Sequence, residues 1–212
     1  MMSTTRRQAR RLAREESEVR TWATVTARSL ALALYQGHEL AAKPYTVGVI
    51  LRDGEVPWAE FPARCTADQV VVPTTPRKGD PPPLAPVATW LATDRRVAGR
   101  INGSVLRWWE WGALIGCQAD LSPGRERVQL DPNGVPPVIW WGPGVAPLAV
   151  AAVFHLHGAE AVVEHPGLAV LREDPAAQLR RKRRGSNADL GPVVPRVPAG
   201  ELGMPPLRDW WL

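Results

Sequence analysis

The chain has little of what metal sites, disulfide frameworks and covalent catalysis are made from. Its 212 residues hold two cysteines, Cys65 and Cys117, and four histidines, His38, His155, His157 and His165. Two thiols in no zinc-type spacing exclude a cysteine-rich zinc module, and so low a count excludes a disulfide-stapled secreted scaffold. His155 and His157 fall in a helical pattern, where a spacing of two puts the rings about 200° apart. Metal-binding pairs on a helix are spaced by three or four. A cysteine nucleophile paired with His155 or His157 is allowed by residue type, and nothing in the spacing supports it. No glycine-rich phosphate loop occurs: Gly142-Pro143-Gly144 places proline where a backbone donor would be needed. No apolar run approaches the roughly 20 residues of a membrane span, because His155, His157 and Glu160 interrupt the one that starts near Val145. Residues 1–18 are charged throughout and lack the apolar core of a secretion signal. The expectation is a cytoplasmic protein with reduced thiols, no metal, no cofactor and no catalytic constellation.

Tryptophan and positive charge at the ends are what the chain does have. There are ten tryptophans against two tyrosines and two phenylalanines. Five of them, Trp108, Trp109, Trp111, Trp140 and Trp141, fall in one strand-rich region, as core packing or as an aromatic platform. Neighbouring residues on a strand point to opposite faces, so Trp108–Trp109 and Trp140–Trp141 cannot both face one core. Residues 1–20 carry six arginines against three glutamates, and residues 180–184 (Arg180, Arg181, Lys182, Arg183, Arg184) add five cations. The whole-chain charge of +5 therefore leaves −3 for everything else. Basic ends on a near-neutral body suit contact with polyanions. Arg6, Arg7, Arg10 and Arg11, with residues 180–184, are the candidate polyanion-binding set.

Residues 88–141 read as an antiparallel sheet. Asn102-Gly103 and Asn133-Gly134 tolerate the positive φ angles of tight hairpin turns. Between them, Trp109, Trp111, Ala113, Ile115, Cys117, Ala119 and Leu121 share one parity, the mark of a strand with one buried face. That run is about twice a usual strand, which predicts a bend or bulge at Gly112 or Gly116. Residues 89–93 and 97–101 predict a further hairpin around Thr93-Asp94-Arg95-Arg96. Residues 45–51 and 55–65 predict strands flanking the Arg52-Asp53-Gly54 turn. Pro57 and Pro62 assign the second of these to an edge or a bulge. Residues 69–72 are a short strand candidate, and the proline-rich stretch 73–86 a loop. The fold class is α+β with a mainly β core: a small antiparallel β-barrel or two-sheet sandwich of about seven strands, capped by a C-terminal helix.

Four segments follow. Residues 1–43 form a basic helix whose face includes Leu12, Val19, Ala23, Leu30 and Leu34, with first turns too polar to pack. Residues 44–164 form the β-rich domain with its capping helix at 146–163, where Pro147 sits in the tolerated first turn. Residues 165–184 form a second basic helix. Residues 185–212 are a Pro/Gly-rich tail, expected to be disordered or draped on the domain, that ends in Trp210-Trp211-Leu212. Those three residues are candidate partner-binding anchors, since a solvated tail has no use for adjacent indoles.

Glu55-Val56-Pro57-Trp58-Ala59, Trp90-Leu91-Ala92-Thr93-Asp94-Arg95-Arg96-Val97 and Trp109-Glu110-Trp111 together resemble bacterial pleckstrin-homology-like and GRAM-like domains. In those, a Gly-Glu pair opens the first strand, a Thr-Asp-x-Arg turn joins middle strands, and an amphipathic helix caps the barrel. The resemblance covers about residues 54–163. It implies a two-sheet barrel with one capping helix, used for protein or lipid contact and not for catalysis. Lipid-binding members carry a basic cluster in the first hairpin, where this chain offers Arg52 and Arg64 alone. The expected function is a non-enzymatic binding or adaptor module, with a protein partner met through the β-domain and the tail. Two alternatives stand beside it: a nucleic-acid-associated accessory protein using its basic ends, and a peripheral membrane protein. Oligomeric state stays open.

Overall fold

Local turn chemistry between residues 93 and 141 sets most of the sheet. The computed structural model describes residues 2–66, 87–101 and 105–172. Among them, seven strands run in chain order: β1 (Pro57–Cys65), β2 (Ala88–Thr93), β3 (Arg96–Ile101), β4 (Val105–Glu110), β5 (Leu114–Asp120), β6 (Arg127–Pro132) and β7 (Val138–Trp141). They form one antiparallel sheet ordered β4-β3-β2-β1-β7-β6-β5. The topology is a four-strand meander and a three-strand meander joined where the end of β1 meets β7, at Arg64↔Trp141 and Cys65↔Trp140. The sheet is not closed into a barrel, because β4 and β5 are its two edges and do not pair.

The continuous strand expected over residues 108–121 is instead two strands. A 3-10 turn at Trp111–Ala113 separates β4 from β5 and sends them to opposite ends of the sheet. The register of β5 then slips between Leu114 and Gly116, a bulge that turns Ile115 outward to 72 % exposure while Leu114 and Leu121 are buried. Trp111 is buried and Trp109 half-buried against the core, as their parity predicted; Trp108 is exposed. Trp140 is fully buried and Trp141 half-buried. The adjacent tryptophans thus divide between faces.

Residues 45–51 are not a strand of the sheet. They lie across the outer face of β2, β3 and β4, where Val49 packs with Leu91 and Ala98, flanked by Tyr45, Val47, Leu51 and Leu106. Side chains hold this strap in place of a ladder: Arg100 Nε donates to the Gly48 carbonyl (2.8 Å), Arg96 Nη2 to that of Ile50 (2.9 Å), and the Thr46 amide to Glu60. The predicted turn follows it, with Gly54 at φ +68° and the Glu55 amide donating to the Arg52 carbonyl. The two prolines of β1 sit in the middle of the sheet, yet over Pro57–Ala63 that strand pairs with β2 alone. Its open side meets the turn after β7, where a Cβ on Gly144 would fall 2.2 Å from the Pro62 carbonyl oxygen.

The inner face is packed by tryptophan and covered by helix. Trp90, Trp109 and Trp140 form a triad with ring centroids 5.0–6.0 Å apart. The ladder partner of Trp90 is Gly99, where a Cβ would lie 2.5 Å from the indole, so the missing side chain is what admits the ring. Helix α2 (Ala146–Glu164) follows the last strand, with proline in its first turn. Residues 146–153 are all buried, because α2 lies between the sheet and helix α1 (Met2–Tyr35). A helix covered on both sides has no polar face to show. At Gly158 the backbone turns to φ +85° and kinks α2. Helix α1 stops short of residue 43: it ends ahead of Gly37, at φ +66°. Its face of Ala23, Ala27, Leu30 and Leu34 is buried, while Leu12 is exposed. A 3-10 turn (Pro166–Leu168) and the short helix α3 (Ala169–Arg172) close the described residues. The strand candidate at 69–72, the loop at 73–86, the turn residues 102–104 and all of 173–212 lie outside the described residues.

Candidate functional site

The motif pieces around Glu55 and Thr93 meet in one buried polar knot. Arg96 reaches Glu55 with two parallel hydrogen bonds of 2.8 Å, and the side chains are 5 % and 0 % exposed. Thr93 Oγ1 donates to the same carboxylate (2.8 Å), as does the Arg52 amide (2.8 Å). Asp94 Oδ1 accepts from the Val56 amide (2.8 Å), and the Asp94 amide donates back to the Val56 carbonyl. Trp111 donates its indole N–H to the Thr93 carbonyl and its amide to that of Arg95. Burial alone would raise the Glu55 pKa, but the bonds from Arg96, Arg52 and Thr93 outweigh it and hold the carboxyl below its ordinary value. A carboxylate this fully bonded is a structural pin. It fixes the β2–β3 turn, the strap and the start of the β4–β5 turn relative to one another.

Beside the knot, His155 of α2 lies between two indoles. Its ring stacks on Trp58 (5.0 Å, 9°) and on Trp111 (5.0 Å, 13°), with Phe154 edge-on. Burial pushes its pKa down to about 4, against an opposing pull from Asp94, and its Nε2 is buried without a partner. This imidazole is neutral at neutral pH and acts as a flat packing element.

Cys117 lies 3.9 Å from His157 Nε2, and His157 stacks on His165. Burial and then the nearby charge of Asp131 push the thiol up to about 11, so it stays protonated beside its imidazole. Among the described residues, no group of three or more metal-ligating side chains converges. Cys117 is a free thiol.

The two sheet edges differ. The edge of β5 is met by the 3-10 turn after α2: a Cβ on Gly167 would fall 2.0 Å from the Ala119 carbonyl oxygen. That turn is anchored in its turn, since the Gly167 amide donates to His165 Nδ1, Arg172 reaches the Val163 and His165 carbonyls, and Arg28 of α1 reaches those of Val170 and Leu171. The edge of β4 has no strand partner beyond β3 among the described residues. Its six residues include exposed Val105, Arg107 and Trp108, with Trp108 at 47 %. An open strand edge offers a row of backbone donors and acceptors to another extended chain. Nothing local in the sequence marked β4 as that edge, although the parity of Trp108–Trp109 did mark one of them as outward.

Of the candidate polyanion-binding residues, Arg6, Arg7, Arg10 and Arg11 are exposed on the first half of α1. Arg180, Arg181, Lys182, Arg183 and Arg184 lie outside the described residues, as do Trp210, Trp211 and Leu212. Arg95, Arg96, Arg100 and Arg107 do not converge: Arg96 is in the knot, Arg100 holds the strap on the outer face, and Arg107 has the opposite parity to Arg100's partner Leu106. The expectation that no run approaches a membrane span is corrected at Ala146–Glu164, which despite its two histidines is long and apolar enough by composition to cross a membrane, with half of that window buried inside the domain. No known family model matches the chain, and no curated protein sequence aligns with it significantly.

Proposed function

We propose that this chain is a non-enzymatic cytoplasmic binding module of the pleckstrin-homology-like kind, which takes up an extended segment of a protein partner along the edge of β4. The observation that carries the reading is the contrast in edge protection: β5 is packed by a turn built around Gly167, and β4 pairs with no strand beyond β3 among the described residues, with Arg52 bonded to Glu110 at its end. Strand addition gives affinity through main-chain hydrogen bonds and specificity through alternate side chains. Trp108, half-exposed on that strand, supplies an amphipathic anchor of the type that dominates interface energetics. The four-plus-three meander with a C-terminal helix over its inner face supports the architectural part of the reading. The protonated thiol of Cys117 and the fully bonded Glu55–Arg96 pair support a non-catalytic role.

The test is selection of a random-peptide library on the full chain, followed by affinity measurements on two variants. Peptides with alternating apolar residues should be recovered, and Trp108→Lys should weaken them by about 30-fold or more. Ile115→Lys, on the opposite edge, should leave them bound. Peptides that ignore Trp108→Lys, or that depend on Ile115, would overturn the proposal.

A further inference from the structure

Helix α1 is about 51 Å long by its 34 residues, and only part of it belongs to the domain. Its first buried residue is Ala23; between residues 6 and 18 no residue is buried. This leading half is therefore an arm beyond the packed region. Its charge is polarised along its length. Arg6, Arg7, Arg10, Arg11 and Arg14 occupy the outer nine residues with no acid among them, while Glu15, Glu16 and Glu18 sit next to the domain. Arg11 and Arg14 are tied to Glu15 and Glu18 at 2.7 and 2.8 Å. Arg6, Arg7 and Arg10 make no ion pair among the described residues.

The five arginines also share a side. At 100° per residue they fall within about 140° of arc, centred opposite the stripe of Ala23, Ala27, Leu30 and Leu34 that packs on the domain. The guanidinium face therefore points away from the body of the molecule. Ion pairs one turn apart account for Arg11 and Arg14, but helix stability does not account for Arg6, Arg7 and Arg10. A helix start favours acids and disfavours cations, because the peptide dipoles put partial positive charge there, and the first turn of α1 holds no acid.

The geometry points to this arm as a binding surface for the phosphate backbone of double-stranded nucleic acid. A helix about 10–12 Å across fits the major groove of B-form DNA, which is about 12 Å wide, and arginine matches phosphate oxygens in paired hydrogen bonds. A lipid surface fits less well. An interfacial helix buries a bulky apolar face, and between residues 6 and 18 the one large apolar side chain apart from the arginine stems is Leu12. The inference stands on α1 alone and does not depend on the β4 edge.

The experiment measures binding of the full chain to a random-sequence 20-base-pair DNA duplex by fluorescence anisotropy across a salt series. The wild type is compared with a triple variant, Arg6→Gln, Arg7→Gln and Arg10→Gln. A second variant with residues 180–184 changed to Gln separates the other basic cluster. Vesicles of phosphatidylserine and phosphatidylcholine serve as the anionic surface. The wild type should bind the duplex in the micromolar range at low salt. The triple variant should lose at least 10-fold and lower the slope of log K against log salt by about 2–3, near 0.9 per phosphate contact removed. Its melting temperature should not move, because these side chains pack on nothing. Undiminished duplex binding by the triple variant would overturn the proposal, as would binding to vesicles but not to DNA. A lowered melting temperature would show that the arm packs against the protein and would count against it equally.

Discussion

β4 and β5 are consecutive in the chain, joined by three residues, and they finish at opposite edges of the same sheet. One edge is finished and the other is not. Behind β5 the chain returns after α2 and lays Gly167 on the Ala119 carbonyl, in a turn secured by Arg28 and Arg172. Beyond β4 the described chain adds no further strand, although β4 is six residues long and carries an exposed tryptophan. Unprotected edges invite unwanted pairing and proteins commonly blunt them. Capping one edge and leaving the other is the difference from which the functional reading grows.

The most damaging way to disturb this contrast is to unpin the corner where β4 ends and the turn to β5 begins. Arg96→Met leaves Glu55 buried without its partner and should cost about 3–5 kcal/mol in chemical denaturation. Trp111→Ala empties the turn between the two edge strands and removes one of the two indoles stacked on His155. It too should cost about 3–5 kcal/mol. A loss below about 1 kcal/mol for either would show that the corner is not what positions β4.

A pH series sharpens the same point. His155 is held neutral to about pH 4, while in the unfolded chain an ordinary histidine protonates near 6.5. Between those values the unfolded chain binds a proton that the folded chain refuses. Stability should therefore fall as pH drops from 6.5 towards 4 and level off below, by about 2 kcal/mol once partial exposure is allowed for. His155→Phe should flatten that window. Glu55, whose folded pKa is depressed, adds a further loss as pH falls below its ordinary range. An unchanged slope in His155→Phe would remove the imidazole from the account.

Smaller effects address the edges themselves. Gly167→Ala drives a methyl group into the Ala119 carbonyl and should cost about 1–3 kcal/mol. Faster hydrogen exchange along β5 and not along β4 would show that the turn is the cap. Trp108→Lys should change stability by no more than about 0.5 kcal/mol, since the ring is half in solvent. A larger loss would make Trp108 part of the core and not an anchor.

How much of this could be read from the residues depended on the range of the forces involved. The Thr93–Arg96 hairpin and the ends of α2 were legible, because turn residues and prolines act locally. The length of the run marked a bend or bulge at Gly112 or Gly116, where the 3-10 turn and the register slip fall, but not the parting of β4 and β5 to opposite edges. The 3-10 turn at Trp111 shifts the apolar parity once, and the bulge at Ile115 shifts it back. The two shifts cancel, so the alternation reads as one strand straight through a break. Residues 45–51 carry a true strand pattern, with Val47 and Val49 facing inward and Ile50 83 % exposed. What they cover is the face of a sheet made from residues some 40–60 positions later, which no local signal reveals. The edge proposed for partner binding was hidden for the same reason: being an edge is a property of the whole sheet.

Hydrogen exchange on the full chain, with and without a peptide selected against it, tests the central claim most directly. If β4 receives an added strand, amide protection on peptide binding should rise within residues 105–110 and leave residues 114–120 unchanged. Protection gained along residues 114–120, or only within helix α1, would contradict it.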